Sequence, residues 1–488
     1  MYPERFHARR DCVDPAGVCL TGHRNQDVEL HIVLKRILHI TVMLLCFGCA
    51  PRLELDTVQE AGFPARTYPD YHGITIPPNI APLNFRIDEP GTAYVVRVLS
   101  SGSREVFSVH SRDGVIRFPL NKWQRALEDN TGSFLHLGIY VRNETGEWMR
   151  YDVNALRIST HPIDEYLTYR RIHPGYTLPG MTTINERSLT CFSERVVFHS
   201  RQFGCMNCHT QSRYHASRML LQVRDPLRGP SIVIKTDGEI RNVDARTEER
   251  PHTPAFSSWH PSGEFVAFSH NRIQQFFHTA GKEPREAVEY GGNLAVYRIK
   301  DGYVFSSTNI ANPDFLENWP QWSHDGRYLY FSRTSVPWTT PPTVPSDGYA
   351  YWSDIKYDIV RSEFDQDAMG FGPVETVISS EEYGLSMSQV RPSPNGHWIV
   401  FVAHAHGSFF VFQASANLWL MDLSTGSIRE LEEINSHQAD TWPNWSTNSR
   451  WLVFSTNVRR VSLAGPILLM LMTMESHQNP SFYRSRIH

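Results

Sequence analysis

Downstream of Pro230 the hydrophobic pattern is one of paired short runs in which apolar and polar positions alternate, each pair joined by a tight turn. Trp259-His260-Pro261-Ser262-Gly263 leads into Phe265-Val266-Ala267-Phe268-Ser269, and Trp322-Ser323-His324-Asp325-Gly326 leads into Tyr328-Leu329-Tyr330-Phe331-Ser332. Pro392-Ser393-Pro394-Asn395-Gly396 precedes Trp398-Ile399-Val400-Phe401-Val402, and Trp445-Ser446-Thr447-Asn448-Ser449 precedes Trp451-Leu452-Val453-Phe454-Ser455. Each is a strand, a turn and a second strand, because Asp-Gly and Asn-Gly accept positive φ and the aromatic and β-branched residues that follow favour a pleated surface. A second strand pair follows the first, as in Leu294 to Lys300 and Tyr303 to Ser306 around Asp301-Gly302, or Leu418 to Leu423 before Ser424-Thr425-Gly426. Four strands make one propeller blade.

The turn positions Gly263, Gly326, Gly396 and Ser449 are 63, 70 and 53 residues apart, longer than the ~40–45 of compact blades, so inserted loops are expected at Gln274 to Glu289 and Pro337 to Asp354. Ser231 to Val243, turning at Asp237-Gly238, reads as half of a fifth blade completed elsewhere. Pro466 to Met472 is too short for a membrane span and reads as outer strands of the last blade. The repeats resemble those of TolB-like propellers, which implies a C-terminal β-propeller over 230–488 with four clear blades and a fifth in part.

Upstream, strands are expected at Ala93 to Leu99, Val106 to Val109, Val115 to Leu120, Leu135 to Val141 and Trp148 to Val153. They predict a small antiparallel β-sandwich domain over 71–159, with a packing role as its default. Over 160–229 the prolines Pro162, Pro174 and Pro179 break the pattern, which predicts an irregular linker with a short helix from His215 to Val223. The expected fold class is therefore mainly β.

The apolar run Ile37 to Gly48 lies behind Lys35 and Arg36 and is 12 residues long, an export signal rather than a span of about 20 residues. Cys46-Phe47-Gly48-Cys49 loosely resembles the lipobox of bacterial lipoproteins, which implies lipid attachment at Cys49; ordinary signal cleavage exports the chain equally. Signals normally occupy the first ~15–30 residues, so a start near Val33 is expected, with 1–48 as leader and signal and 49–70 as a tether.

The 488 residues carry a net charge of -4, which leaves no basic footprint for nucleic acid. Beyond the signal, cysteine is reduced to Cys49, Cys191, Cys205 and Cys208, too few for a disulfide scaffold. Cys191 reads as a buried small hydrophobe. Cys205-Met206-Asn207-Cys208-His209 matches the C-x-x-C-H sequence at which c-type haem is attached: two thiols add to the porphyrin vinyl groups and His209 ligates the iron. The competing dithiol and zinc readings lack a surrounding βαβ pattern and a second paired motif. Met219 is the first choice for the sixth ligand, ahead of His215 and His199; its alternative role is core packing. His404 and His406 read as surface or loop histidines before metal ligands.

Ile76 to Phe85, Pro162 to Tyr169, Pro174-Gly175-Tyr176 and the haem motif together resemble Bacteroidetes-type lipoproteins that combine an N-terminal domain, one C-x-x-C-H and TolB-like repeats. The resemblance implies a cell-envelope protein. No nucleophile elbow, metalloprotease helix or phosphate loop is present in the sequence. Two functions are expected to compete: electron transfer through one haem c to an envelope partner docked on the propeller, and a non-enzymatic scaffold for a protein or glycan in which haem is structural.

Overall fold

The computed structural model describes residues 58–171, 181–225, 229–277, 285–339, 351–456, 468–473 and 482–484. The signal segment, the lipidation candidate Cys49 and the inserted segment 340–350 lie outside the described residues. The chain divides into two compact units, the first drawn mainly from 77–162 and the second mainly from 163 onward.

The first unit is built on an antiparallel core in which Ala93–Ser100 pairs with both Glu105–Ser111 and Phe134–Arg142. Trp148–Asp152 extends the sheet. Gln59–Pro64, expected as tether, adds a parallel edge strand beside Trp148–Asp152; an edge strand needs backbone pairing rather than buried side chains, and five of its six residues are exposed. Leu120–Asp129 is a helix rather than the end of a strand. Trp123, Ala126 and Leu127 fall on one helical face at i, i+3 and i+4 and are buried. Trp123 Nε1 donates to the Ile80 carbonyl at 3.1 Å. Cys191 is buried.

The second unit contains, among the described residues, one three-stranded and five four-stranded sheets. Blade 1 is Tyr166–Arg171, Thr183–Ser188 and Glu194–His199. Blade 2 is Cys205–Ser212, His215–Asp225, Gly229–Thr236 and Glu239–Val243. The innermost strands of blades 3 to 6 are Pro254–Trp259, Phe315–Trp322, Ser386–Pro392 and Asp440–Trp445. Strands of each sheet follow in chain order, the signature of a β-propeller.

The stretch 160–229 is therefore not an irregular linker. It supplies blade 1 and half of blade 2, and so completes the half-blade recognised at Ser231 to Val243. His215–Asp225 is a strand and not a helix, paired on both sides. Leu220 packs into one apolar cluster while Met219, Leu221 and Val223 pack into another, the two-face burial of a central strand. Likewise Gln274 to Phe277 and Arg285 to Glu289 extend a long hairpin of blade 3 rather than forming loop. Leu468–Thr473 and Phe482–Arg484 are the outer strands of blade 6; the pattern at Pro466 to Met472 predicted an outer pair there, but it holds one strand and the second lies further on.

The ring is closed by polar contacts. Asp164, just before blade 1, accepts hydrogen bonds from the backbone amide and hydroxyl of Thr447 in the blade 6 turn. Blade 4 meets blade 3 where His260 Nε2 lies 3.1 Å from the Gly326 carbonyl. Blade 5 meets blade 6 where the Asn395 amide donates to Ser449 Oγ at 3.0 Å.

Deeper in, Glu289 joins three blades. Its carboxylate accepts from Asn271 Nδ2, Asn318 Nδ2 and the Tyr357 hydroxyl, and Ser408 of blade 5 also hydrogen-bonds to it. Burial pushes Glu289 up to about 7 and Glu317 up to about 8. Burial also pushes His209 and His270 down to about 4 and His404 down to about 3.

These two sets tilt stability in opposite directions. The carboxyls bind protons more tightly folded than unfolded, so their contribution is full below the ordinary 4.5 and lost as pH rises through 7 and 8. The imidazoles bind protons less tightly folded, so theirs is full above 6.5 and lost as pH falls through 4. Together they place the maximum near pH 6.5, checked by urea midpoints taken from about pH 5 to about pH 9. A midpoint still climbing at about pH 9 would contradict the assignment.

Candidate functional site

Every innermost strand of blades 2 to 6 carries a register break at one place. The breaks fall between Met206 and His209, Ala255 and Ser258, Asn318 and Gln321, Ser388 and Arg391, and Thr441 and Asn444. In blades 3 to 6 the first residue of the bulge adopts positive φ: Phe256 51°, Trp319 54°, Gln389 51° and Trp442 56°. A bulge re-aims side chains out of the pleat. Phe256 stacks on Trp319 with centroids 3.5 Å apart, and Trp319 meets Trp442 edge-on at 5.7 Å. The Trp442 amide donates to Gln389 Oε1 at 3.0 Å.

The C-x-x-C-H motif occupies this same bulge in blade 2. Cys208 and His209 stand where the other blades carry Ser257 and Ser258, Pro320 and Gln321, Val390 and Arg391, and Pro443 and Asn444. Two independent features, the motif and the repeat, thus coincide at one turn of backbone.

From these bulges to the hairpin turns runs a central cavity of about 560 Å³, lined by all six innermost strands. That volume falls within the ~300–1,000 Å³ of small-molecule sites. Cys208 and His209 both line it, with Tyr214 beyond them and Trp259, Trp322 and Trp445 on the facing walls. Among the described residues its lining contains Arg170, Arg213, Arg391, His209 and His324, and no Asp or Glu.

His209 Nε2 lies 3.3 Å from the Thr168 carbonyl on blade 1. With burial holding the imidazole neutral, an Nε2–H donor leaves Nδ1 as the lone-pair nitrogen. Cys208 is a free thiol. Cys205 pairs its backbone with Arg224, and its side chain lies outside what the structure describes.

Met219 is not brought to this site. It is fully buried with Met206, Leu221, Val223 and Phe198 in the core, because its register opposite Gln211 and Lys235 turns it to that face. His199 is likewise absent from the cavity lining among the described residues, and the His215 side chain lies outside what the structure describes. Both ring nitrogens of His404 are engaged, Nε2 with Ser388 Oγ and Nδ1 with the His406 carbonyl, each at 3.0 Å.

Sequence reading missed Phe256, Trp319, Gln389, Trp442 and Arg391. The signal was present three residues ahead of each turn tryptophan, in Phe256-x-x-Trp259, Trp319-Pro320-x-Trp322 and Trp442-Pro443-x-Trp445. What it lacked was a reason to carry the repeat alignment upstream of the hairpin.

No family model matches the chain, and no curated protein matches it. Solved structures do. TolB from Agrobacterium tumefaciens is 13% identical over 70% of this chain and 89% of its own, with a TM-score of 0.30. Oligogalacturonate lyase from Vibrio parahaemolyticus is 10% identical over 72% and 85%, at 0.34. A variant of the Synechocystis apocarotenoid oxygenase is 9% identical over 88% and 95%, at 0.37. At these TM-scores the likenesses add no argument to the propeller fold, which rests on the strand pairing itself.

Proposed function

We propose that this chain is a cell-envelope propeller whose central cavity carries one c-type haem, held covalently by Cys205 and Cys208 with His209 on the iron, and that it passes single electrons to or from an envelope partner docked on the propeller. The observation that carries the reading is the place of the motif: Cys208 and His209 face the central cavity, which all six innermost strands line.

The residues present fit such a group. His209 is neutral, as a ligating imidazole must be, the cavity has aromatic walls, and its volume suits a cofactor. When bound, the haem supplies a one-electron Fe(III)/Fe(II) couple. The chain's own residues do the rest. The bulge turns Cys208 and His209 into the cavity, Trp319 and Trp442 supply aromatic wall, and the Thr168 carbonyl orients the His209 ring. Export and lipid attachment at Cys49 belong to the same proposal.

A scaffold reading has two observations of its own. His209 already has a protein partner in Thr168, and the aromatic bulges of blades 3, 4 and 6 build a binding cavity without the motif. A protein or glycan partner would then engage the propeller directly.

The two part on a spectrum. The full chain, with Cys49→Ser, exported in a host with haem-attachment machinery, is expected to show the pyridine haemochrome band of one c-type haem per chain, lost on Cys205→Ala with Cys208→Ala. No band from a folded chain removes electron transfer and leaves the scaffold.

A further inference from the structure

Arg391 lies in the cavity without a counter-charge among the described residues. Its Nη1 donates to Gln321 Oε1 at 2.6 Å and to the Val390 carbonyl at 3.3 Å, both neutral acceptors. The ionisable groups that act on it are the Tyr214 hydroxyl and the Cys208 thiol, neither a carboxylate. Burial pushes its guanidinium down to about 10. A cation drawn partly out of water is ordinarily paired, and this half-buried one opens instead onto a space bordered by two further arginines and no acid among the described residues.

Two positions earlier on the same strand, Gln389 is fully buried and borders the same cavity. Its Oε1 is taken by the Trp442 amide, and its Nε2 has no hydrogen-bond partner among the described residues. A buried donor without an acceptor costs about 1–3 kcal/mol, and native structures rarely retain one without a reason. The buried indole N–H groups of Trp259 and Trp322, which also border the cavity, have no partner either. Among the described residues that border the cavity, the buried side-chain polar atoms without a partner are all donors.

We propose that Arg391 and Gln389 bind the carboxylate of a flat, ring-bodied ligand whose body lies against the aromatic bulge residues Phe256, Trp319 and Trp442. An arginine meets a carboxylate through two parallel N–H···O bonds, and the Gln389 amide supplies a third donor. The stacked indole and phenyl faces favour a planar body over a branched aliphatic one. The inference rests on reading the central cavity as the binding site, and not on haem. The propionates of a haem attached at Cys205 and Cys208 carry this chemistry, and so does a free aromatic acid.

The test uses ligands that can neither attach to the thiols nor ligate through iron. Mesoporphyrin IX, whose vinyl groups are reduced and whose carboxylates are free, is titrated into the full chain against its dimethyl ester, with tryptophan fluorescence as readout. Naphthalene-2-carboxylate is compared with its amide in the same way. The acid is expected to bind at least about tenfold more tightly than its blocked form. Arg391→Gln is expected to remove that preference while leaving ester binding unchanged, Arg391→Lys to restore part of it, and Gln389→Leu to weaken the acid alone.

Preference for the porphyrin acid assigns the site to propionates, and preference confined to the naphthoate assigns it to a free aromatic acid. Equal binding of acid and blocked form, preference surviving in a folded Arg391→Gln, or no binding of either acid overturns the proposal. Loss of the haemochrome band with acid preference intact would overturn haem alone.

Discussion

Replacing Glu289 by alanine is expected to cost about 3–5 kcal/mol of folding stability, among the largest losses available from one side chain outside the apolar core. The reason is arithmetic of donors. Asn271, Asn318 and Tyr357 all donate to this one carboxylate, and Asn318 and Tyr357 are fully buried. Alanine takes this acceptor from all three and leaves a cavity in place of the carboxyl, and each donor that finds no other acceptor costs about 1–3 kcal/mol. Glu289→Gln keeps the shape and one carbonyl acceptor, so its loss is expected to be about half as great. It should also remove this residue's share of the fall in stability above pH 6.5. Denaturant unfolding of the three proteins at about pH 6.5 and about pH 8.5 measures both effects. A loss below about 1 kcal/mol in the alanine variant would show that the hub does not tie the blades together.

The second large effect is expected at Gly326, where Gly326→Ala should destabilise by about 2–4 kcal/mol. Two costs add there. The backbone sits at φ 78°, where any side chain pays about 1–2 kcal/mol, and a Cβ would run into the His260 imidazole of the neighbouring blade. Displacing that ring also breaks its contact with the Gly326 carbonyl. Gly396, at φ 71° against His324, repeats the arrangement one blade on. The costs separate in a series. Gly426 has φ 72° with nothing within 4 Å, so alanine there should show the backbone share alone. Gly370 has neither constraint and should tolerate alanine within about 0.5 kcal/mol. If Gly326→Ala is no worse than Gly426→Ala, the blade contact through His260 carries no stability.

The hairpins of blades 3 to 6 were legible because everything that makes them is local. Asp325-Gly326 and Asn395-Gly396 set the turn, and the runs Tyr328 to Ser332 and Trp398 to Val402 set the strand after it. Blade 2 was legible only by half. Its outer strands turn at Asp237-Gly238, whereas its inner strands carry Cys205 and His209, residues whose chemistry invites a different reading of the same stretch. The helix Leu120–Asp129 was present in the pattern as Trp123, Ala126 and Leu127 and was hidden by the strand-like Val115 to Leu120 ahead of it.

By itself the sequence determined the turn chemistry, the repeat of strand pairs and the C-x-x-C-H motif, because each depends on residues within a few positions of one another. Pairing partners decided the rest. Whether Met219 faced a cavity or the core turned on its register against Gln211 and Lys235. That His209 and Arg391, far apart along the chain, border one space follows from closure of the ring. The unpaired charge of Arg391 is a property of that space: a guanidinium's need for an anion shows only when everything that surrounds it is known, and its surroundings come from strands that only tertiary structure brings together.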